Sequence, residues 1–438
     1  SDPAFAPAQF NLGWAAEQAG DLDKAKAAFQ RAQALTPGEP APLARLAAIA
    51  ARAGDYPQAR VLADRALAVD PRQPTANLAR AAADLASRHL DDAEQRLRKL
   101  LTGALTPDDG ALAHGLLGDV FDAADRPAEA FAQFEAANAG LRTAYVDRYA
   151  KPGRSSAADQ LETLISYMQA AGPTHAPAVA PPSSPAVGHV FLVGFPRSGT
   201  TLLERALAAH SDIVSWDERE SLAEGVRTYL ADREALVRLT WAREQDLGPL
   251  RADYWRRVGE TGVDVAGKVA LDKLPLNTLK LPLIARLFPQ AKIIFAIRDP
   301  RDVILSCFRQ RFRMNASMYE LLTLEGGARF YDGVMRLAAL CRAKLALDVF
   351  EHRYETLVSD FDAQTGAICG FIGVPWSADI RGFAETLAER AAATPSAAQV
   401  ARGLYAEGVG QWRRYRGELE PALPLLAPWV ERFGYPPS

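Results

Sequence analysis

The sequence predicts a chain of two folded parts, an all-α solenoid at the N-terminal end and an α/β domain with a central parallel sheet at the C-terminal end. Two observations predict this. A helical pattern repeats along roughly the first 140 residues, and from residue 189 short apolar segments alternate with helical ones. The length of 438 residues also exceeds that of one ordinary domain. The predicted boundaries are 1–145 for the solenoid, 146–188 for a helix with a linker, and 189–438 for the α/β domain.

The N-terminal pattern has a period of 34 residues. Glycine, aspartate, alanine and proline recur at this offset: Gly20-Asp21 with Gly54-Asp55, Ala25 with Ala59, Ala32 with Ala66, and Pro37 with Pro71. This period is typical of the tetratricopeptide repeat, in which two helices form each unit. Small residues let the two helices approach closely, and proline ends the second helix. Ala93 belongs to a third unit and Gly118 with Ala130 to a fourth, so we predict four repeats rather than a generic alanine-rich bundle.

The middle of the chain predicts one more helix and a linker. Residues 141–170 are helical in pattern, and four apolar side chains lie on one face: Leu161, Leu164, Ile165 and Met168. Five prolines within 171–188 are typical of an extended linker that few contacts cross. Beyond it, residues 189–194, 292–297 and 347–354 predict buried strands of a parallel sheet.

A glycine-rich loop follows the first of these strands: Phe195-Pro196-Arg197-Ser198-Gly199-Thr200-Thr201. Backbone N–H groups and the helix dipole favour an anion at such a strand–loop–helix junction. The loop nearly matches a P-loop, but Thr200 stands where that motif has the lysine that holds the β/γ-phosphates. A single phosphate that carries a sulfate is a smaller charge, and Arg197 can donate charge-assisted hydrogen bonds to it. The alternative is a P-loop kinase with a degenerate motif, although the strand 292–297 ends in Arg298 and not in aspartate.

The loop resembles the 5'-phosphosulfate loop of sulfotransferases that use 3'-phosphoadenosine 5'-phosphosulfate (PAPS). In that superfamily an arginine at a strand end and a serine eight residues later bind the 3'-phosphate, and Arg298 and Ser306 have this spacing. A guanidinium and a hydroxyl on the following helix can both reach one phosphate. The resemblance implies PAPS as donor, PAP as product and no metal. It implies that the loop residues bind the donor: Arg197, Ser198, Gly199, Thr200 and Thr201.

The repeats combined with this domain resemble a bacterial group of tetratricopeptide-repeat sulfotransferases, and most of residues 189–435 resemble tyrosylprotein sulfotransferases. This resemblance implies that Glu218 is the general base and that Lys273, before Leu274-Pro275, is the catalytic lysine. Lys273, Arg197 and Ser396 are the groups expected to stabilise charge on the bridging oxygen. Tyr354 is expected against the adenine. A loop over the nucleotide is expected to add three contacts: Gln399, Val400 and Arg402.

Several positions leave alternatives open. His210 is a rival base, because other sulfotransferase branches use histidine, and its other interpretation is a cap or packing residue of the helix after the loop. Basic residues of the tyrosylprotein pattern are replaced at three positions: Gln310, Gln411 and Glu220. Gln310 is flanked by Arg309 and Arg311. Arg413 and Arg414 follow Trp412 and are candidates to substitute for the basic residue missing at Gln411. Glu220 stands where the family has an arginine that helps to hold a peptide acceptor.

Composition limits the partners and the compartment. The formal net charge of -3 gives no indication of a nucleic-acid partner. Three scattered cysteines argue against a disulfide framework and a zinc site, and favour the reducing cytosol. The N-terminus lacks the pattern of a signal peptide, and no segment reaches the ~18 consecutive apolar residues of a membrane span. We expect a cytoplasmic protein with no membrane partner.

The function expected from these features is PAPS-dependent transfer of a sulfuryl group to a hydroxyl acceptor. A tyrosine or another phenol of a peptide or protein is favoured, because a phenol with a pKa of about 10 is easier for a carboxylate to activate than an alkyl alcohol. The repeats are expected to hold part of the acceptor. Two alternatives stay open: the same chemistry on a small molecule or glycan with the repeats used for assembly, and a non-catalytic nucleotide-binding repeat scaffold.

Overall fold

The computed structural model describes residues 5–151, 153, 155–172, 184–216, 218–383 and 408–437. Its contacts divide these residues into two compact units. The first holds the described residues up to 147 together with 309–313, and the second holds the remaining described residues.

The first unit is a run of helices: α1 (Ala6–Ala19), α2 (Leu22–Leu35), α3 (Pro40–Arg52), α4 (Tyr56–Val69), α5 (Pro74–Ala86), α6 (Leu90–Leu101), α7 (Pro107–Ala123) and α8 (Pro127–Tyr149). Consecutive helices from α1 to α7 pack against one another, and α3 also contacts α5 as α5 contacts α7. This arrangement of helix pairs confirms the predicted all-α tetratricopeptide solenoid.

The recurring Gly-Asp pair forms the turn inside a repeat. Gly20 and Gly54 end their helices in the left-handed conformation, with φ of 84° and 81°. The carboxylates of Asp21 and Asp55 then cap the next helix by accepting the backbone N–H three residues later, at 3.0 and 3.1 Å. Arg88, which follows Gly54 by the same period, also has a left-handed φ of 61°. The left-handed backbone conformation therefore recurs in the third repeat, although the glycine that occupies this position in the first two repeats is replaced by arginine.

Close helix packing explains the small residues of the pattern. Ala25 and Ala32 are fully buried, with relative exposures of 0% and 1%. Gly13 of α1 lies so close to Phe29 of α2 that a Cβ atom would stand 2.7 Å from the ring. In α7, a Cβ atom on Gly118 would stand 2.4 Å from the ring of Phe134.

Residues 309–313 belong to this unit through two ion pairs. The Arg309 guanidinium lies 2.6 Å from Asp122, and that of Arg311 lies 2.7 Å from Asp119. A Cβ atom on Gly115 would collide with the Arg311 side chain, so glycine makes room for it. Both arginines that flank Gln310 are thus paired with carboxylates of α7.

The second unit alternates helices and strands: α9 (Ala157–Ala170), β1 (Gly188–Gly194), α10 (Thr200–Ala208), β2 (Ile213–Ser215), α11 (Ala223–Tyr229), α12 (Arg233–Trp241), α13 (Glu244–Gly259), β3 (Val269–Lys273), α14 (Leu281–Leu287), β4 (Lys292–Ile297), α15 (Pro300–Arg309), α16 (Ala316–Glu320), α17 (Leu324–Lys344), β5 (Asp348–Arg353), α18 (Tyr354–Ser359), α19 (Phe361–Ile372), α20 (Arg416–Leu419) and α21 (Leu423–Arg432). Short 3-10 helices occupy Pro275–Lys280, Ala378–Gly382 and Gln411–Tyr415.

The five strands form one parallel sheet in the order β2-β3-β1-β4-β5. This confirms the predicted α/β fold with a central parallel sheet. Strand β1 lies at the centre, where Leu192 pairs with Lys273 of β3 and Gly194 pairs with Ala296 of β4. Because parallel strands end at the same edge, the loop after β1, the end of β3 and the residues after β4 and β5 all meet there.

Two of the strands, β2 and β3, were absent from the expectation. Strand β2 has three residues, and β3 ends in Asp272-Lys273, so neither shows the long apolar run of a buried parallel strand. The prediction of a single helix over 141–170 is wrong, because α8 ends at Tyr149 and α9 begins at Ala157. The sequence Pro152-Gly153, which is unfavourable inside a helix, lies between them. Helix α9 packs against α17, and all four predicted apolar residues of its face are buried. Within the described ranges, no helix combines the length and the apolarity that a bilayer crossing needs.

We predict that Gly118→Ala lowers the free energy of unfolding of the repeat unit by about 1–3 kcal/mol, because the added methyl group overpacks the contact with Phe134. Gly110→Ala in the same helix is the matched control, since a Cβ atom there meets nothing within 4 Å. This control is expected to gain up to about 1 kcal/mol from better helix propensity. Urea denaturation followed by circular dichroism measures both, and equal effects of the two substitutions would contradict the packing argument.

Candidate active site

The loop between β1 and α10 is held in a conformation that two glycines make possible. Gly194 and Gly199 have φ of 156° and 87°, outside the range that other residues adopt readily. A Cβ atom on Gly194 would stand 2.6 Å from the Ala296 carbonyl oxygen, and one on Gly199 would stand 2.4 Å from the ring of Tyr354. Arg197 also has a left-handed φ, 70°, without being glycine. The loop is therefore pressed against β4 and the residue that follows β5.

Side chains from neighbouring elements fix this loop. The Gly194 N–H donates to Thr278 Oγ1 at 3.1 Å, and that hydroxyl donates to the Gly194 carbonyl at 2.7 Å. The Cys307 thiol donates to the Pro196 carbonyl at 3.4 Å. Burial raises the pKa of Cys307 to about 12, so the thiol keeps the proton that it donates. The start of α10, where Thr200 and Thr201 are buried, is thereby set in place.

The residues predicted for the two phosphate groups lie together. Arg197 Nε donates to Ser306 Oγ at 2.9 Å, and Arg298 Nη1 donates to the Arg197 carbonyl at 2.9 Å. Arg298 Nη2 donates to the Gly408 carbonyl, and its guanidinium lies 4.8 Å from the centre of the Tyr354 ring. Arg197 in the loop and Arg298 after β4 thus form one cationic cluster. Ser306 of α15 and Tyr354 of α18 lie beside it.

This cluster contains a hydrogen-bond donor that no described residue occupies and that an anion can accept from. Arg298 is buried, and its Nε atom has no hydrogen-bond partner among the described residues. A buried arginine whose Nε donor is unpaired, placed beside a helix N-terminus and glycine N–H groups, fits a phosphate-bearing nucleotide. The phosphate-binding residues of a PAPS-type donor would be Arg298 and Ser306 on one side and the loop with Arg197 on the other.

Asp302 binds a segment that is distant in sequence and holds it beside this cluster. Its carboxylate accepts the N–H groups of Gly410 and Trp412 at 2.7 and 2.8 Å. Burial is the largest influence on this carboxyl and raises its pKa above the ordinary value, although Arg298 and the two N–H groups act in the other direction. Asp302 therefore fixes the chain from Gly410 to Trp412 next to Arg298, whose partner Gly408 lies in the same segment.

A buried lysine and two carboxylates form the second half of the site. Lys273, at the end of β3, has a side chain that is 1% exposed, and its Nζ lies 2.5 Å from Glu218 and 3.2 Å from Glu204. Burial alone lowers the pKa of the Lys273 ammonium, but the attraction of Glu204 and then Glu218 outweighs it and leaves the pKa above its ordinary value. The two residues predicted to carry the chemistry, Glu218 and Lys273, are therefore in direct contact.

The strand that carries Lys273 is anchored from its other face. Successive residues of a strand point to opposite faces, so Asp272 lies away from the site. Its carboxylate accepts hydrogen bonds from Tyr254 at 2.9 Å and Asn277 at 3.2 Å. Burial is the main cause that raises the pKa of Asp272 to about 6. Strand β3 is thus held on the side opposite the reactive lysine.

The rival base His210 is engaged in packing. Its Nδ1 accepts the Asp212 N–H at 3.0 Å, and its Nε2 lies 2.8 Å from the Pro375 carbonyl, to which it donates. Both ring nitrogens are occupied by backbone groups and the residue is 4% exposed, so the structure favours the packing interpretation. Glu218, in contrast, has a side chain that is 31% exposed and is accessible to an acceptor.

The remaining predicted residues have different outcomes. Glu220, at the position where the family has an arginine, forms an ion pair with Lys280. Arg413 lies over the Trp412 ring, at 5.4 Å from its centre, so its role as a substitute at Gln411 stays a prediction. Ser396, Gln399, Val400 and Arg402 lie outside the described residues.

Three contributors to the site were not found from the sequence. Glu204, Thr278 and Gly408 contact Lys273, Gly194 and Arg298, respectively. No local motif marks Thr278 or Gly408, because each acts through chain segments far apart in sequence. Glu204 carried only a weak signal, as one of the two charged residues of α10.

Comparison with known proteins finds two family matches. Residues 189–378 match the model described as the sulfotransferase family, and residues 6–39 match the tetratricopeptide repeat. The tetratricopeptide-repeat match therefore precedes the sulfotransferase-family match along the chain.

Two relatives illustrate the range of similarity. An uncharacterized protein of Aquifex aeolicus (strain VF5) is 26% identical over 249 residues, 54% of this chain but only 32% of that protein's length. Protein-tyrosine sulfotransferase 1 of Danio rerio is 24% identical over 280 residues, 57% of this chain and 72% of that protein. Among solved structures, the sulfotransferase domain from the Synechococcus PCC 7002 olefin synthase aligns with a TM-score of 0.36 at 21% identity and covers 60% of this chain and 98% of that chain.

We predict that Gly199→Ala weakens PAP binding at least about tenfold, because the methyl group requires an unfavourable φ and displaces Tyr354. Gly370→Ala in α19, where a Cβ atom meets nothing within 4 Å, is the matched control and should retain wild-type affinity. Isothermal titration calorimetry with PAP measures both variants. Wild-type affinity of Gly199→Ala would show that the loop does not depend on this close approach.

Proposed function

We propose that this protein transfers the sulfuryl group of PAPS to a hydroxyl acceptor, a tyrosine or another phenol of a peptide or protein. The observation that supports it most is the contact between Lys273 and Glu218 at the same sheet edge as the cationic cluster around Arg298. A nucleotide-binding scaffold would have use for the cluster but not for a buried ammonium beside a reachable carboxylate.

Each residue has a role in this proposal that follows from its chemistry. Glu218 accepts the proton of the acceptor hydroxyl as the new bond between that oxygen and sulfur forms. The bond between sulfur and the oxygen that bridges it to the 5'-phosphate breaks, and PAP leaves with that oxygen. Lys273 and Arg197 stabilise the negative charge that develops on it. Ser396 is proposed for the same task. Placement of acceptor and donor in line is the main contribution of the surrounding loop, as in phosphoryl transfer.

The resting ion pair has a consequence for the order of events. Glu218 can take a proton only if its carboxylate turns toward the acceptor, which weakens its contact with Lys273. Lys273 is then available for the bridging oxygen. The base and the charge-stabilising group therefore become active together.

We propose that Arg298 and Ser306 bind the 3'-phosphate of the donor. The remaining donor contacts that we propose are the loop residues Ser198 to Thr201, Tyr354 against the adenine, and three residues beyond the described part: Gln399, Val400 and Arg402. No metal is proposed, because arginine and lysine supply the positive charge that the phosphosulfate requires.

Two observations support a peptide or protein as the acceptor. The relative from Danio rerio is named a protein-tyrosine sulfotransferase, and tetratricopeptide arrays form concave grooves that suit extended peptides. Glu220 favours a second candidate, transfer to a small molecule or glycan, because its pairing with Lys280 leaves no arginine at that position. A screen with sulfur-labelled PAPS against phenols, sugars and tyrosine peptides separates the candidates. No transfer to any class would favour the non-catalytic scaffold.

The proposed compartment is the reducing cytosol. All three cysteines of the chain are buried free thiols, as expected where disulfides do not form.

We predict that Glu218→Gln lowers the transfer rate by about 10²- to 10⁴-fold, because the amide cannot accept the acceptor's proton. The Kd for PAP should change little, since Glu218 acts on the sulfate side. Glu224→Gln is the control, because Glu224 pairs with Arg227 on the surface of α11. Transfer at the wild-type rate by a Glu218→Gln variant that binds PAP would show that another group is the base.

We predict that Ser306→Ala weakens PAP binding by about 10- to 100-fold, the loss of roughly 1.5–3 kcal/mol for a hydrogen bond to a charged group. Adenosine 5'-monophosphate, which lacks the 3'-phosphate, should bind both forms equally. Ser359→Ala, at an exposed serine that ends α18, is the matched control. Equal weakening of both nucleotides would place the role of Ser306 elsewhere.

A further inference from the structure

Glu204 is a buried carboxylate that the proposed mechanism does not use. It lies on α10, the helix that begins at the glycine-rich loop, and its side chain is 3% exposed. Its Oε2 atom lies 3.2 Å from Lys273 Nζ, and its Oε1 atom accepts a hydrogen bond from the Ser215 hydroxyl at 3.1 Å. Both carboxylate oxygens are therefore fixed by a named partner.

The two carboxylates that contact Lys273 differ in solvent exposure, and this difference suits them to different tasks. The acceptor hydroxyl has to reach the base, and the Glu218 side chain is 31% exposed. Glu204 is enclosed and cannot receive a proton from an acceptor in the same way. It acts on the reaction only through the lysine that it contacts.

The reaction itself gives a second carboxylate a task. When Glu218 accepts the acceptor's proton it becomes neutral, and its attraction for Lys273 is lost at that moment. An ammonium that is 1% exposed is strongly unfavourable in the protein interior unless anionic groups accompany it. Glu204 takes no part in this proton transfer, so its contact with Lys273 remains while negative charge develops on the bridging oxygen.

The surroundings of Lys273 support this division. Of the described residues, Glu204 on α10 and Glu218 after β2 are the ionisable groups whose attraction acts on the ammonium, and that of Glu204 is the larger. Ser215, on β2, contributes a neutral hydroxyl to the same cluster. Asp272, next to Lys273 in β3, lies on the opposite face and is bound by Tyr254.

We propose that Glu204 is a positioning residue that holds the Lys273 ammonium in place when Glu218 gives up its ion pair to accept the acceptor's proton. This inference rests on the proposed sulfuryl transfer. It assigns one carboxylate to proton transfer and the other to maintaining the charge of the lysine.

The test is Glu204→Gln, which keeps the size of the side chain and removes its charge. The expected result is a kcat about 10- to 100-fold lower, with an acceptor KM that changes little. The alkaline limb of the pH profile of kcat should move to lower pH, because Lys273 without Glu204 loses its proton more readily. Glu204→Asp, which retains the charge, should return the alkaline limb toward its wild-type position.

Controls separate this role from a merely structural one. Glu320→Gln removes another partly buried glutamate, whose carboxylate accepts the Ala158 N–H, and should leave the pH profile unchanged. A Glu204→Gln variant that folds and retains the wild-type kcat and pH profile would overturn the inference. A lower kcat with an unmoved alkaline limb would overturn it as well, because only a structural effect would remain.

A milder variant decides the question if Glu204→Gln does not fold. Ser215→Ala removes the hydroxyl that orients Glu204 and leaves every charge in place, so a several-fold loss of kcat is expected. Wild-type kcat in this variant would overturn the inference. Absence of transfer by the wild-type protein would refute the proposed function and this inference together, whereas wild-type transfer with unaffected variants refutes the inference alone.

Discussion

A lysine ammonium buried at the carboxyl edge of the sheet has to be compensated by negative charge, and this requirement organises one half of the site. Lys273 is 1% exposed, and its partners come from two different elements, Glu204 on α10 and Glu218 in the segment after β2. The strand order places β3 beside β1, so the helix after the glycine-rich loop lies within reach of the lysine. The lysine thus links the loop proposed to bind the donor to the residue proposed to act on the acceptor.

The other half of the site depends on close approach and not on charge. Gly194 and Gly199 allow the loop to lie against Ala296 and Tyr354, where a Cβ atom would collide with each. The same approach brings the Arg197 carbonyl to Arg298. Backbone contact therefore orders the cationic side chains before any anion binds, and such preorganisation lowers the cost of ordering them on binding.

The fold was predictable wherever a pattern is local. The 34-residue period, the apolar face of α9 and the strands β1, β4 and β5 are read from neighbouring residues, and the structure confirms them. The pairing of Arg298 with Ser306 followed from a resemblance, which their spacing of eight residues on one strand–helix connection supported. The pairing of Glu218 with Lys273, 55 positions apart, followed only from a resemblance. The sequence did not predict the roles of Glu204, Thr278 and strand β3. These roles arise from tertiary contacts, which produce no periodic pattern in the sequence.

The proposed donor and acceptor sides are formed by different kinds of residue, which explains why the sequence specifies one more firmly than the other. The proposed donor site uses glycine geometry, backbone N–H groups and buried arginine, and substitution at such positions is limited by packing. The acceptor side is represented by Glu220, whose side chain is 63% exposed and paired with Lys280. Lys280, the partner of Glu220, is mostly enclosed, with a side chain that is 11% exposed. An exposed carboxylate contributes little to stability, so Glu220 can be replaced without loss of the fold. Under the proposed function, acceptor choice can therefore diverge among chains that share the proposed donor site.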